Sequence, residues 1–369
     1  MESLLPGFYD QRSGLTTGTC ATASAVACVL ALFCPEGEPR GTVPVILPDG
    51  ETLHVAIAHS RRTSATCAEA STLKDGGDDP DVTNGLPLCA TLSLLPPRPG
   101  TPPGDYDIDL RGGPGIGTVT LPGLGIAVGG PAINATPRRM ILDNMARQLR
   151  RLGVCPARHA YRLALSAPGG EAAAARTLNP RLGIEGGISI IGTSGIVRPF
   201  STAAYVDSMS KAMHVARAVG VDRLVLNSGA KSERHVRALY PRLPAQAFVQ
   251  YGNYIGQALR LADATGIAHV TLGLMIGKAV KLAEGHQDTH SRSTRFSPEF
   301  LARLGRECGL PPQKQQEAAR VTLARQLWTL LSPDEAQAFA QTLLEHCYRH
   351  CAPLLPHASL TMVLIDEEG

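Results

Sequence analysis

Hydrophobic and polar positions along this chain change their spacing near residue 155. Before it, residues 21–33 are apolar on every side, which predicts a helix buried all round. Thr16, Thr17, Gly18 and Thr19 precede this run as N-cap material. Their hydroxyls and free N–H groups suit a ligand carboxylate, and ordinary capping accounts for the same residues equally well. Residues 42–47 and 52–59 alternate around Pro48-Asp49-Gly50, a hairpin pattern. Residues 86–95 predict a further strand and residues 96–104 a Pro-rich surface connection. Gly113-Pro114-Gly115-Ile116-Gly117 has the look of a dinucleotide fingerprint, but it leads into a strand at 118–121, not a helix. It reads instead as hairpin corners against which a flat ligand could lie. Asn134 then opens a helix that runs to about residue 152.

After residue 155 the pattern becomes strand, glycine corner, helix. Strands are predicted over 160–167, 187–191, 222–227, 247–250 and 269–275, each followed by a small-residue turn and a helical stretch. Five such units imply a parallel sheet with right-handed crossovers, and its corners then share the edge where open α/β sheets bind ligands. The corner Gly192-Thr193-Ser194-Gly195 has the shape of an anion-receiving turn, and a tight turn without ligand explains it too. Residues 298–350 predict charged helices, and residues 360–365 a last strand. The fold class expected is therefore mixed: an α+β domain over 1–155 with Gly-rich hairpins and a buried helix, a Rossmann-like, mainly parallel α/β domain over 156–300, and a helical extension over 301–369.

Composition narrows the function. The chain has 369 residues, 44% hydrophobic and 18% charged, which suits a globular protein of about two domains. A net charge of +3 with 4% aromatics gives no footprint for nucleic acid. Nine irregularly spaced cysteines without a signal-like N-terminus point to reduced thiols and a cytoplasmic location. The apolar run 21–33 is too short to span a bilayer, so no membrane partner is expected. Asp75, Asp78, Asp79 and Asp81 crowd one loop without EF-hand spacing, and read as a solvated turn or a substrate-touching loop. His346, Cys347, His350 and Cys351 have incomplete zinc spacing and read as helix residues, so no metal site is assigned. No GxxxxGK[ST] string supports a kinase.

Several strings are longer and more unusual than these patterns. Arg12-Ser13-Gly14-Leu15-Thr16-Thr17-Gly18-Thr19, the run KDGGDDPDVT at 74–83, GIGTVT, GGPAIN, GTSGIVRPFS, GNYIGQAL, GKAVKLAEGH and Thr289-His290-Ser291 together resemble the cobalt-precorrin-5B C(1)-methyltransferase (CbiD) family over about residues 12–300. The resemblance implies methyl transfer from S-adenosylmethionine to carbon 1 of cobalt-precorrin-5B, giving cobalt-precorrin-6A on the anaerobic route to cobalamin. Cobalt enters only as part of that tetrapyrrole-derived substrate. In-line displacement needs alignment more than acid–base machinery, in keeping with the lack of a nucleophilic triad. Gly192, Thr193, Ser194, Gly195, Asn227, Ser228 and Gly229 are then the donor-site candidates. Thr16, Thr17, Gly18, Thr19, Asp78, Asp79, Asn134, Arg138, Arg198, Lys231, Lys278 and Lys281 are the candidates for the carboxylate-edged macrocycle. His286, Asp288 and His290 form the densest titratable segment and are the candidates for proton transfer. No acidic residue holds the ribose position about twenty residues after the GTSG turn. A non-catalytic corrinoid carrier or assembly partner is the competing reading. A homo-oligomer and transient contact with other enzymes of the pathway both remain open.

Overall fold

The computed structural model describes residues 11–34, 37, 39, 41–98, 100, 104–290 and 296–366. Ser291, the residues ahead of Gln11 and parts of the 96–104 connection lie outside this set. The chain divides into two units, 1–201 and 202–369.

The first unit is built around its buried helix. It opens with β1 (Gly14–Leu15) and α1 (Thr17–Phe33), followed by the hairpin β2 (Thr42–Ile46) and β3 (Thr52–Ala56). Then come β4 (His59–Ser64), β5 (Cys67–Leu73), β6 (Pro87–Leu95), β7 (Ile108–Gly112), β8 (Gly115–Ile116) and β9 (Thr118–Val119). Helix α2 (Ala135–Arg151), β10 (Ala160–Ser166), α3 (Gly170–Ala174), β11 (Ile184–Glu185), β12 (Gly187–Ile188) and β13 (Ile196–Val197) complete it. Helix α1 is covered by α2 and by a five-stranded sheet in the order β4-β5-β6-β10-β7. Its polar residues are tolerated inside because each has a partner: Thr22 Oγ1 donates to Gly18 O at 2.8 Å and Ser24 Oγ to Leu88 O at 2.8 Å.

The second unit carries the parallel sheet. Its elements are α4 (Thr202–Ala218), β14 (Arg223–Asn227), α5 (Ala230–Leu239), β15 (Phe248–Gln250), α6 (Ile255–Ala264), β16 (His269–Met275) and α7 (Ile276–Ala283). Helices α8 (Pro298–Glu307), α9 (Pro312–Ala319), α10 (Gln326–Leu330) and α11 (Pro333–Cys351) lead to β17 (Ser359–Ile365). All strand pairs in the order β15-β14-β16-β17 are parallel. Among the described residues no helix is long and apolar enough to cross a membrane.

Four expectations change. The sheet takes three of the five strand–corner–helix units, plus β17. Strand β10 lies between β6 and β7 in the first unit, because its buried Tyr161, Leu163 and Leu165 belong to the core around α1. Residues 187–191 form only the short β12, paired with β8, and a bridge from Ile190 to Ile133. The division therefore falls after Ser201 and not near 155. Nor do residues 301–369 stand apart, since Leu301, Leu304, Phe339, Leu343 and Ile365 share one core with β14 and β16. The glycines at 113–117 serve close backbone packing, with no room for a flat ligand at Gly115. A Cβ on Gly115 would lie 2.0 Å from Ala167 O, and one on Gly187 2.2 Å from Gly115.

Candidate functional site

In the first unit, three of the unusual strings meet at the start of α1. Thr16 caps the helix, its Oγ1 accepting from Thr19 N–H at 3.1 Å. Gly18 N–H donates to Ile191 O, Thr17 Oγ1 donates to Ser189 O and accepts from Ile191 N–H, and Thr19 Oγ1 donates to Gly195 O at 2.6 Å. The GTSG turn is thus part of a strap that closes the helix N-terminus, whose Gly18 and Thr19 N–H groups face protein oxygens. Gly192 (φ +132°) and Gly195 (φ +86°) let it close, for a Cβ on Gly192 would sit 2.5 Å from Thr16 Oγ1. Thr193 and Ser194 are exposed at its tip, as is Arg198 after it. No helix follows the turn directly; β13 follows, paired with β1.

The acidic loop crosses the same segment. Asp78 accepts from Arg12 N–H at 2.7 Å, and Asp79 from the N–H of Phe200, which sits at φ 54°. Asp75 pairs with the Arg12 guanidinium, which holds its carboxyl below the usual range. Lys74 is 2% exposed and donates to Asp81 Oδ2 at 2.6 Å. Burial raises the Asp81 carboxyl, but Lys74 and Thr83 outweigh it and leave it below its ordinary value. These carboxylates pin loops together. Asn134 and Arg138 lie at the start of α2, where the N–H of Asn134 donates to Ile190 O.

The second unit offers a more open arrangement. The chain runs from β14 outward to β15 and returns past β14 to β16, so the strand order reverses between β14 and β16. A crevice outside the carboxyl ends of such strands is where doubly wound sheets take ligands. Asn227-Ser228-Gly229 follows β14, and Ile276-Gly277-Lys278 follows β16. A Cβ on Gly229 or Gly277 would meet nothing within 4 Å, so both corners have space beside them. Ser232 Oγ accepts the N–H groups of Ser228 and Gly229. Those of Ala230 and Lys231, at the exposed start of α5, have no partner among the described residues. Asn227 Oδ1 is buried and lacks a partner among them as well.

Beside these corners, Lys278 Nζ donates to Asn253 Oδ1 at 2.5 Å and to Thr289 Oγ1 at 3.2 Å, while Lys281 Nζ donates to Thr289 O at 3.2 Å. Two ammonium groups therefore share one threonine. Burial, together with the neighbouring Lys281 charge, pushes Lys278 down to about 8, and burial lowers Lys281 too. Buried Thr289 anchors the 285–290 segment, which is further fixed by Gly256 N–H donating to Gln287 O and by a bridge between Tyr254 and Asp288. Asp288 lies near enough to both lysines to favour their charged forms, and His290 follows Thr289; His286 is exposed, its N–H donating to Lys281 O.

Sequence reasoning missed Glu233 and Gln250. Glu233 is 4% exposed, and its carboxylate accepts from Arg237 Nε at 2.9 Å and Gln250 Nε2 at 2.8 Å. Gln250 ends β15, about twenty positions beyond the Gly229 corner, where doubly wound sheets hold ribose hydroxyls. The sequence signal for Gln250 is the spacing from the Gly229 corner, not from the GTSG turn.

The sequence comparisons bear on the whole chain. A family model described as CbiD matches residues 7–199, and another, CbiD, C-terminal domain, matches residues 288–369. The chain belongs to the CbiD family. A relative within that similarity, a cobalt-precorrin-5B C(1)-methyltransferase from Prosthecochloris aestuarii, is 41% identical over 96% of this chain and 94% of its own length. One of the same description from Salinispora arenicola is 45% identical over 81% of this chain and 74% of its own. A crystal structure of cobalamin biosynthesis protein (cbiD) from Archaeoglobus fulgidus aligns over 81% of this chain and 85% of its own, with 24% identity and a TM-score of 0.39. The first family match ends beside the division between the units, and residues 200–287, which hold the open corners, lie between the two matches.

Proposed function

We propose that this CbiD protein is a C-methyltransferase that methylates carbon 1 of cobalt-precorrin-5B in cobalamin biosynthesis, and that its donor is S-adenosylmethionine held at the carboxyl edge of the second unit's sheet. The observation that carries the donor assignment is the pair of open glycine corners at the β14–β16 reversal, flanked by the lysine pair. S-adenosylmethionine, when bound, supplies a sulfonium methyl for in-line displacement, a reaction that asks the protein chiefly for alignment.

The residues at this edge suit such a molecule part by part. Backbone N–H groups at Ala230 and Lys231, with the Lys278 ammonium, offer partners for a carboxylate. Glu233 and Gln250 offer an acceptor and an amide for vicinal hydroxyls, and Arg237 keeps the Glu233 carboxylate in place. Asn227, Ser228 and Gly229 are retained as donor-site residues. The GTSG turn is not retained, because its backbone closes α1. Asp288 and His290 are assigned to receive a proton from the methylated ring, with Lys278 and Lys281 supplying positive charge nearby. His286 is assigned a supporting place at the exposed end of that segment.

Incubation with methyl-labelled S-adenosylmethionine and cobalt-precorrin-5B tests this reading. Label appearing in the corrinoid supports it. Binding of the corrinoid without donor binding or label transfer replaces it with the carrier reading.

A further inference from the structure

We propose that the face of α2 bearing Arg139, Arg147 and Arg150 binds an apolar ring edged with carboxylates, an inference that rests on the substrate class proposed above. A groove of about 530 Å³ runs along this face, within the first unit. Its other wall is apolar, made by Ile46, Leu47 and Pro48 at the end of the β2–β3 hairpin. The two walls are locked in register. Asn144, from the same helix, accepts from Ile46 N–H at 2.8 Å and donates to Ile46 O at 2.9 Å.

The groove lining carries a net positive charge, three arginines against one aspartate. Arg139, Asp143 and Arg147 are spaced one helical turn apart, the arrangement that ordinarily forms ion pairs. Asp143 nevertheless pairs with neither arginine, and neither arginine pairs with another carboxylate among the described residues. Arg150 lies 5.6 Å from the centre of the Tyr106 ring, which holds its guanidinium over an aromatic face. The three arginines leave the helix at positions that span roughly 16 Å along its axis. A ligand that satisfies both walls has a flat apolar body and at least two rim carboxylates, which arginine receives in fork geometry. A simple anion would meet only the arginine side. The groove's volume falls within the usual range for small-molecule sites and suits one edge of a macrocycle.

Uroporphyrin III, a tetrapyrrole edged with carboxylates, is the probe, titrated against the full chain by fluorescence with inorganic phosphate as competitor. Arg139→Ala and Arg147→Ala are each expected to weaken binding about fivefold. Arg147→Lys should lose less, and Asp143→Asn should tighten binding by removing the one negative charge on the face. These residues are exposed, so the variants should fold, and an unchanged Tm checks that. Affinity indifferent to all four substitutions, or phosphate that displaces the porphyrin at equal concentration, overturns the proposal. Calorimetry with S-adenosylmethionine on the same variants separates the two readings. Retained donor binding with arginine-independent porphyrin binding refutes the groove alone. Arginine-dependent porphyrin binding without any donor binding supports the groove and refutes the donor site.

Discussion

Replacing Lys278 by Met should change how the second unit's stability responds to pH. In the native protein the ammonium titrates at about 8, against 10.5 for an unperturbed lysine. Below pH 8 both folded and unfolded chains carry the charge, and the native state bears the full cost of burying it. Between pH 8 and 10.5 the folded chain gives up its proton while the unfolded chain keeps it, so wild-type stability rises with pH. At about 1.4 kcal/mol per pH unit, the gap sets a ceiling of about 3.5 kcal/mol. Water reaching the half-buried side chain reduces this to about 1–2 kcal/mol. Lys278→Met removes the titration together with the hydrogen bonds to Asn253 and Thr289. Its absolute stability can therefore move either way, while its pH slope cannot. The assay is urea unfolding at several pH values from 7 to 10.5, followed by fluorescence of the single tryptophan, Trp328, which packs on the second unit's core. The stability difference, variant minus wild type, should fall by about 1–2 kcal/mol across that range. A difference that stays constant with pH refutes the assignment of a depressed lysine at this edge.

The remaining predictions concern both units. Gly192→Ala should destabilise the first unit by about 2 kcal/mol, since a non-glycine residue is strained at that φ and its Cβ collides with Thr16; a Tm equal to wild type refutes the strap. Asp81→Asn should cost about 3 kcal/mol by leaving Lys74 buried without its charge partner. Because the native Asp81 carboxyl is depressed, that advantage should be present above the usual carboxylate range and vanish as pH falls through the lowered value, as acid titration followed by circular dichroism would show. Glu233→Gln and Gln250→Ala should each weaken S-adenosylmethionine binding about tenfold by calorimetry, and unaltered affinity removes the hydroxyl-binding role. His290→Ala should lower kcat by at least about tenfold with the donor's KM little changed, and normal turnover withdraws the residue from proton transfer.

Much of the architecture could be read from local pattern. The all-round apolar run gave α1, alternation around Pro48-Asp49-Gly50 gave the β2–β3 hairpin, and the strand–corner–helix units from residue 222 gave β14 to α7. The expected last strand is β17. These are properties of short windows, where spacing and turn chemistry decide conformation. The site was legible only in part. Lys278, Lys281, Asn227 and the 285–290 segment all carry a sequence signal and all fall in the second unit, where Lys278 and Lys281 converge on Thr289. The GTSG turn looked the same in sequence as a ligand-binding corner, but it lies against Thr16, Thr17 and Thr19.

What the amino-acid sequence determined by itself was the local conformation of its most regular stretches, and that glycine corners follow the strands from residue 222; strands β4, β5 and β7 emerge only in the sheet they form with β6 and β10. Only the tertiary structure decided what each corner faces. A free backbone N–H binds an anion or a protein carbonyl by the same chemistry, and the choice depends on a partner more than 170 residues away. That partner is supplied by packing, so Gly18 N–H closes on Ile191 O while the start of α5 is left open.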